Sequence, residues 1–176
     1  MAISWTVATP ELGMQPILET STTQRHPLGK IVQAYAVDTT TYYGQGEFIY
    51  LLGVANTVVG LLVTYDTLNP QIATVLSPTA GSTGRPVAVA MSANVASQWG
   101  WYQISGTAII KKTAIKVNPA VALFQSGTAG RVMSTVASGK QFAGMRSVNA
   151  ATVASATSTI TAIINRPAFQ ALDNVL

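Results

Sequence analysis

The sequence predicts an all-β chain: a compact sandwich or barrel-like domain carrying an extended N-terminal arm. Three observations lead there. Short runs rich in Val, Ile, Thr and Tyr recur between Gly- and Pro-bearing polar stretches, the spacing of sandwiches and barrels. Several of these runs alternate with period two, as half-buried strands do. No long amphipathic helix is present. Its one rival, "NAATVASATSTITAII" at 149–164, is β-branched towards its end and favours strand.

Residues 1–30 carry Pro10, Pro16 and Pro27 and show no clean period. Proline removes a donor and fixes φ, so this part is expected to be irregular, extended chain with one short strand. Such an arm must lie on something, either its own domain or a neighbouring subunit. Residues 31–167 then form the β domain, and 168–176 a C-terminal tail with a helical turn.

Within the domain, "KIVQAYAV" places Ile31, Gln33, Tyr35 and Val37 on one side and Val32, Ala34 and Ala36 on the other. "DTTTYYGQGE" is a polar loop. "IYLLGVANTVVGLLVTY", 49–65, is 17 uncharged residues between Glu47 and Asp66. A spanning helix needs about 20 apolar residues. This run is shorter and is broken by Gly53, Asn56, Thr57 and Gly60, so it reads as strand, turn, strand rather than membrane helix. "QIATVL" is a further strand, "SPTAGSTGRP" a loop, and "PVAVAMS" the next strand. "WGWYQISG" alternates, with Trp99, Trp101, Gln103 and Ser105 on one face and Gly100, Tyr102, Ile104 and Gly106 on the other. "TAIIKKTAIKV" extends it, as one long strand or two short ones. "AVALFQSG" and "GRVMST" make a hairpin around "SGTAG". "TSTITAIIN" closes the domain and is expected to stop at Arg166-Pro167.

Composition narrows the function. Charged residues are 9% of 176, against roughly 25% in ordinary soluble domains. A surface so poor in charge suits burial against partners, so an oligomer or larger assembly is expected; a Thr/Ser-rich monomer is the alternative. The net charge of +4 comes from only six acids rather than from many bases. Nucleic-acid binders cluster more Lys and Arg than this, so no nucleic-acid partner is expected. With no cysteine there is neither disulfide nor Cys-ligated metal, which fits assembly in a reducing cytoplasm. The N-terminus lacks the basic and apolar regions of a signal peptide.

Chemistry-bearing motifs are scarce. His26, the single histidine, sits before Pro27 in the arm and reads as a solvated or interface residue rather than a triad member. The six acids are scattered, without metal-loop or paired-carboxylate spacing. "GSTGRP" lacks the Lys-Ser/Thr ending of a phosphate loop. No enzyme activity, metal or cofactor is expected. Lys111, Lys112 and Lys116 form the one basic cluster; on a strand, Lys112 and Lys116 share a face with Ile110 and Ala114. The cluster is open between a solvated edge that discourages pairing, a contact for an acidic partner, and a single-strand nucleic-acid platform with the tryptophans. Trp99 and Trp101 are expected in the core or at a subunit interface, since polar groups for a sugar platform are few.

The runs "YYGQGEFIYLLGVANTVVGLLVTYD", "GRPVAVAMSANVASQWGWYQISGTAIIKK", "AVALFQSGTAGRV" and "ITAIINRP", at these spacings over residues 40–167, resemble structural proteins of tailed bacteriophages, the small head proteins called decoration or cement proteins. The stretch "VAVAMSANVASQWGWYQISG" is the most specific. The resemblance implies a β-rich domain on the outer surface of the virion capsid. There it would tie major capsid proteins together, commonly as a homotrimer, after assembly in the host cytoplasm. It carries over no active-site residues. The arm lies outside it. Candidate interface residues are Trp5, Val7, Leu12, Met14, Ile17 and Leu18 in the arm, with Trp99, Trp101, Lys111, Lys112 and Lys116. Removing residues 1–25 is expected to weaken attachment while leaving a folded domain. The alternatives are another virion part (tail, fibre or connector) and a carbohydrate- or host-surface-binding β module.

Overall fold

The computed structural model describes residues 5–37, 44–66, 73–75, 84–93 and 96–169. No helix occurs among them. They form eleven strands: β1 (Trp5–Val7), β2 (Ile31–Ala36), β3 (Gln45–Leu52), β4 (Leu62–Tyr65), β5 (Ala73–Val75), β6 (Val87–Ala90), β7 (Trp99–Lys111), β8 (Ala122–Gln125), β9 (Val132–Met133), β10 (Gln141–Ser147) and β11 (Thr159–Phe169). All strand pairs are antiparallel, in the order β1-β2-β3-β7-β11-β10-β8-β9, with β4, β5 and β6 on a branch.

The 13-residue strand β7 organises the sheet. Its first half pairs with β3, from Leu52↔Trp99 to Gly46↔Gly106. Its second half pairs with β11, from Asn165↔Ser105 to Thr159↔Lys111. Ser105 and Gly106 pair with both strands, so β3 and β11 lie on opposite edges. β6 joins β7 at Tyr102 and Gln103, and β4 lies beyond it. The sheet therefore forks at β7, where Gly106 takes φ +99°; a Cβ there would strike the Gln45 carbonyl oxygen. Only glycine meets both conditions cheaply.

Three cores follow from this fork. The largest lies under β7, β8, β10 and β11 and includes Ile110, Leu123, Phe142, Ile160 and Ile164. A second joins the arm to β2, β3 and β7 through Trp5, Ile17, Val32, Phe48, Tyr50 and Trp101. The third packs Ile49 and Leu51 of β3 against Val63, Ala88, Ala90, Tyr102 and Ile104. β3 is thus covered on both faces, and this is why its run "FIYLL" does not alternate while the outer strand β2 does. Residues 49–65 form strand, turn, strand, and among the described residues no helix is long and apolar enough to cross a membrane.

The sequence expectations need correction at three points. β10 was not foreseen: "QFAGMRS" mixes Gln, Gly and Arg into a strand whose inward residues are Phe142, Met145 and Ser147. β11 does not stop at Arg166-Pro167 but runs to Phe169, so Ala168 and Phe169 belong to the sheet rather than to a tail from 168. Two irregularities admit the proline. Gly144 (φ +70°) and Arg166 (φ +41°) lie where the β10–β11 register shifts between Ala143 and Met145. A ladder bond is absent at such a bulge, so proline's missing N–H costs nothing there. The lysine run is a single strand to Lys111, with Lys112 and Val117 in isolated bridges. The proposed helical turn in 170–176, the loop at 77–83 and most of "DTTTYYGQGE" fall outside the described residues.

Candidate interface: the N-terminal latch and the lysine strand

The N-terminal segment lies on its own domain. Trp5 stacks edge-on against Phe48 at 4.9 Å, β1 pairs with β2, and Ile17 is fully enclosed. Val7, Met14, Leu18 and Leu28 pack around the same core, whereas Leu12 projects fully into solvent.

A polar pin fastens this segment. Gln15 is buried and uses every polar group it has. Its backbone N–H donates to His26 Nε2 (3.2 Å), and its carbonyl accepts from Trp101 Nε1 (2.9 Å). Its side-chain Nε2 donates to the carbonyls of Glu19 (2.7 Å) and Trp99 (3.0 Å), and Oε1 accepts from the Tyr50 hydroxyl (2.9 Å). The Tyr50 oxygen in turn accepts from the Arg25 N–H at 3.2 Å. Ser21 completes the seam by exchanging two backbone bonds with Trp99. Buried polar groups are tolerable only when paired, so the pin holds the arm in one register.

His26, expected in solvent, is instead buried in an aromatic corner. It meets Tyr50 edge-on at 5.1 Å and Trp101 at 5.4 Å. With Nε2 accepting from Gln15, the ring is neutral here. Burial is the main cause holding its pKa below the usual histidine value; Lys30 adds to this, Glu11 opposes it, and Arg25 adds a little. Glu11 and Lys30 form an ion pair at the mouth of this corner.

The tryptophans share a face, as their register predicts, and that face is the arm's. Trp101 is completely buried and Trp99 half-buried. The lysines separate. Lys111 is part-exposed and Lys116 exposed, but Lys112 is fully buried, against the expectation of a solvated edge. Its ammonium donates to the carbonyls of Ile115 (2.7 Å), Thr113 (3.2 Å) and Ser155 (3.4 Å), and burial lowers its pKa. It pins the 113–117 bend to the loop before β11. Arg131 donates to the Lys112 carbonyl at 3.0 Å, tying β9 to the same point.

The structure thus brings Trp5, Ile17, Trp99 and Trp101 into one cluster and places the lysines elsewhere. Sequence reading missed Gln15, His26 and Tyr50 as the fastening. Their signal was faint: Gln15 and His26 each precede a proline, which holds their backbones extended. Among the described residues, no three His, Asp or Glu side chains stand where they could hold a metal ion. Compared with known protein families, curated proteins and solved structures, the chain matches none.

Proposed function

We propose that the chain is a capsid decoration protein: it binds the outside of a phage head and stabilises contacts between major capsid proteins, with a homotrimer as the working assembly. The observation that carries this reading is the run of residues 40–167 that resembles such proteins, above all "VAVAMSANVASQWGWYQISG". The physics of the role suits the molecule. A clamp on a pressurised shell works by burying surface across subunit boundaries, each apolar Å² contributing on the order of 25 cal/mol. Many copies add their effects on a symmetric shell. Low charge and outward Leu12, Tyr35, Val37, Val136 and Ile163 fit a chain that finishes its burial on a partner.

The latch changes what the arm contributes. Removing residues 1–25 would strip Trp5 and Ile17 from the core shared with Phe48, Tyr50 and Trp101. That deletion is therefore expected to damage the domain itself, and among the described arm residues it is outward ones such as Leu12 that are free to reach a neighbour. A glycan platform built from both indoles is disfavoured, because Trp101 is enclosed.

The test is addition of the purified chain to heads that lack it, followed by reconstruction of the particle. Hundreds of copies on the shell, at subunit boundaries, support the reading. A chain that stays unbound, or is found only at the tail, overturns it.

A further inference from the structure

Charge is divided unevenly along this chain. Eight of its ten lysines and arginines follow residue 66, but only one of its six acids does, Asp173. The fold gathers that excess. Strands β7 to β11 are all drawn from residues 96–169, which include no acid. Their outer face follows from the ladder. Arg146 pairs with Ile163, which pairs with Thr107, while Thr161 pairs with Ile109 and Thr159 with Lys111. Arg146 and Ile163 are exposed and Lys111 part-exposed. Neither Arg146 nor Lys111 makes a side-chain hydrogen bond or ion pair to another described residue. Among the described residues the acid at the margin, Glu47, is engaged by Arg166 at 3.2 Å.

Beside Arg146 the sheet opens. The β8–β10 register shifts between Gln141↔Phe124 and Arg146↔Ala122, so β10 carries extra residues that bow away from β8. The result is a groove of ≈ 510 Å³ whose wall has Arg146 as its one charge. Ala122, Ala143 and Gly144 keep it open, and Gln141 and Asn165 add amide groups.

We propose that this face of β7, β10 and β11, centred on Arg146 and the groove, docks an acidic polypeptide surface, one of whose carboxylates enters the groove to meet the Arg146 guanidinium. Among the described residues these cations are unpaired and the face holds no acid, and such a surface attracts an acidic partner and orients it on approach. A planar guanidinium binds a carboxylate through two parallel bonds. The neighbouring Ile163 and Val148 supply apolar contact. A nucleic acid fits less well. The aromatic side chains of residues 96–169 are buried or half-buried, which leaves no stacking platform, and the free cations are too few for a run of phosphates. The inference rests on the decoration reading only for naming the capsid exterior as that surface.

The test uses the full chain and immobilised poly-L-glutamate, with poly-L-glutamine and duplex DNA as comparison probes. Binding to poly-L-glutamate that falls with added salt, weakens about tenfold in Arg146→Glu and is unchanged in Arg25→Glu supports the proposal. Both arginines are exposed and both substitutions alter net charge equally, so a matching loss in the two variants means general attraction and overturns it. No binding to poly-L-glutamate, or tighter binding to DNA, also overturns it. Arg146→Gln, which removes charge without reversing it, gives an intermediate loss if the site is real. On phage heads, attachment insensitive to Arg146→Glu defeats this inference and spares the decoration reading. Absence of attachment alongside Arg146-dependent binding to poly-L-glutamate does the reverse.

Discussion

Replacing Gln15 tests whether one side chain fastens the N-terminal segment. Gln15→Ala keeps the backbone bonds to His26 and Trp101 but removes three side-chain bonds, to Tyr50, Glu19 and Trp99. Each such bond contributes about 0.5–1.5 kcal/mol net, and a buried group left unpaired costs more. The Tyr50 hydroxyl loses its acceptor in an enclosed corner; the Glu19 and Trp99 carbonyls are only part-buried and recover some loss from water. The sum is about 2–4 kcal/mol, a large share of the roughly 5–15 kcal/mol that holds a domain together. Equilibrium unfolding in urea reads it as a lower midpoint at unchanged slope. Limited proteolysis should find new cleavage before residue 30. Gln15→Glu sharpens the test, because a carboxylate would turn an oxygen towards the Glu19 and Trp99 carbonyls, and it should cost at least as much as Ala. If Gln15→Ala lies within about 0.5 kcal/mol of the parent, the side chain is not the fastening and packing of Trp5 and Ile17 alone holds the segment.

Four other expectations follow from the geometry. His26 has a lowered pKa in the folded chain, so the stability of its neutral form is fully present above the unfolded histidine value of about 6.5 and is lost as pH falls from there towards the folded value. Protonation adds a charge beside Lys30 and Arg25, facing Tyr50 and Trp101, and among the described residues only Glu11 offsets it. Tryptophan fluorescence should therefore report loosening on acidification, and His26→Gln should flatten that slope. Lys112→Met deprives three carbonyls of their donor and is expected to cost about 1–3 kcal/mol in thermal unfolding; a neutral result would mean that packing carries that bend. Gly106→Ala should destabilise by more than about 2 kcal/mol, whereas Gly127→Ala, with open space around its Cβ, should change little. Gly144→Ala meets the Asn165 carbonyl at 2.5 Å and should disturb both the β10–β11 bulge and the groove, read as a lower midpoint together with weaker poly-L-glutamate binding.

How much of this was legible in the sequence depended on how each strand is covered. β2 alternates because one face meets the arm core and the other meets solvent. The pattern separated Val32, Ala34 and Ala36 from Ile31, Gln33, Tyr35 and Val37, but with large apolar residues in the second set it did not say which set turns inward. β7 alternates for another reason. Large side chains fall on both faces, Trp99 and Trp101 towards the arm and Tyr102 and Ile104 towards β4 and β6, so periodicity gave the register and could not say what lay on either side. β10 was missed because its bulge at Gly144 breaks the period between Phe142 and Met145, and a pattern search has no means of skipping a residue.

The polar fastening was hidden for a deeper reason. Hydrophobic pattern measures how much a residue gains by leaving water, and on that measure Gln15, His26 and Lys112 all belong outside. Each is buried because a particular set of partners surrounds it, and those partners come from distant chain: Gln15 meets Tyr50, Trp99 and Trp101, and Lys112 meets Ser155. Such placements depend on the whole fold and leave no local trace beyond the prolines that follow Gln15 and His26. The same argument bears on Arg146. It is proposed as a docking group because the fold assembles around it a face with no acid among the described residues, and a sequence window centred on "AGMRSV" shows only one arginine. Burial of specific polar side chains and accumulation of one sign of charge are properties of the assembled sheet. It is there, at the latch and on the β10–β11 face, that substitutions will separate what holds this protein together from what it holds.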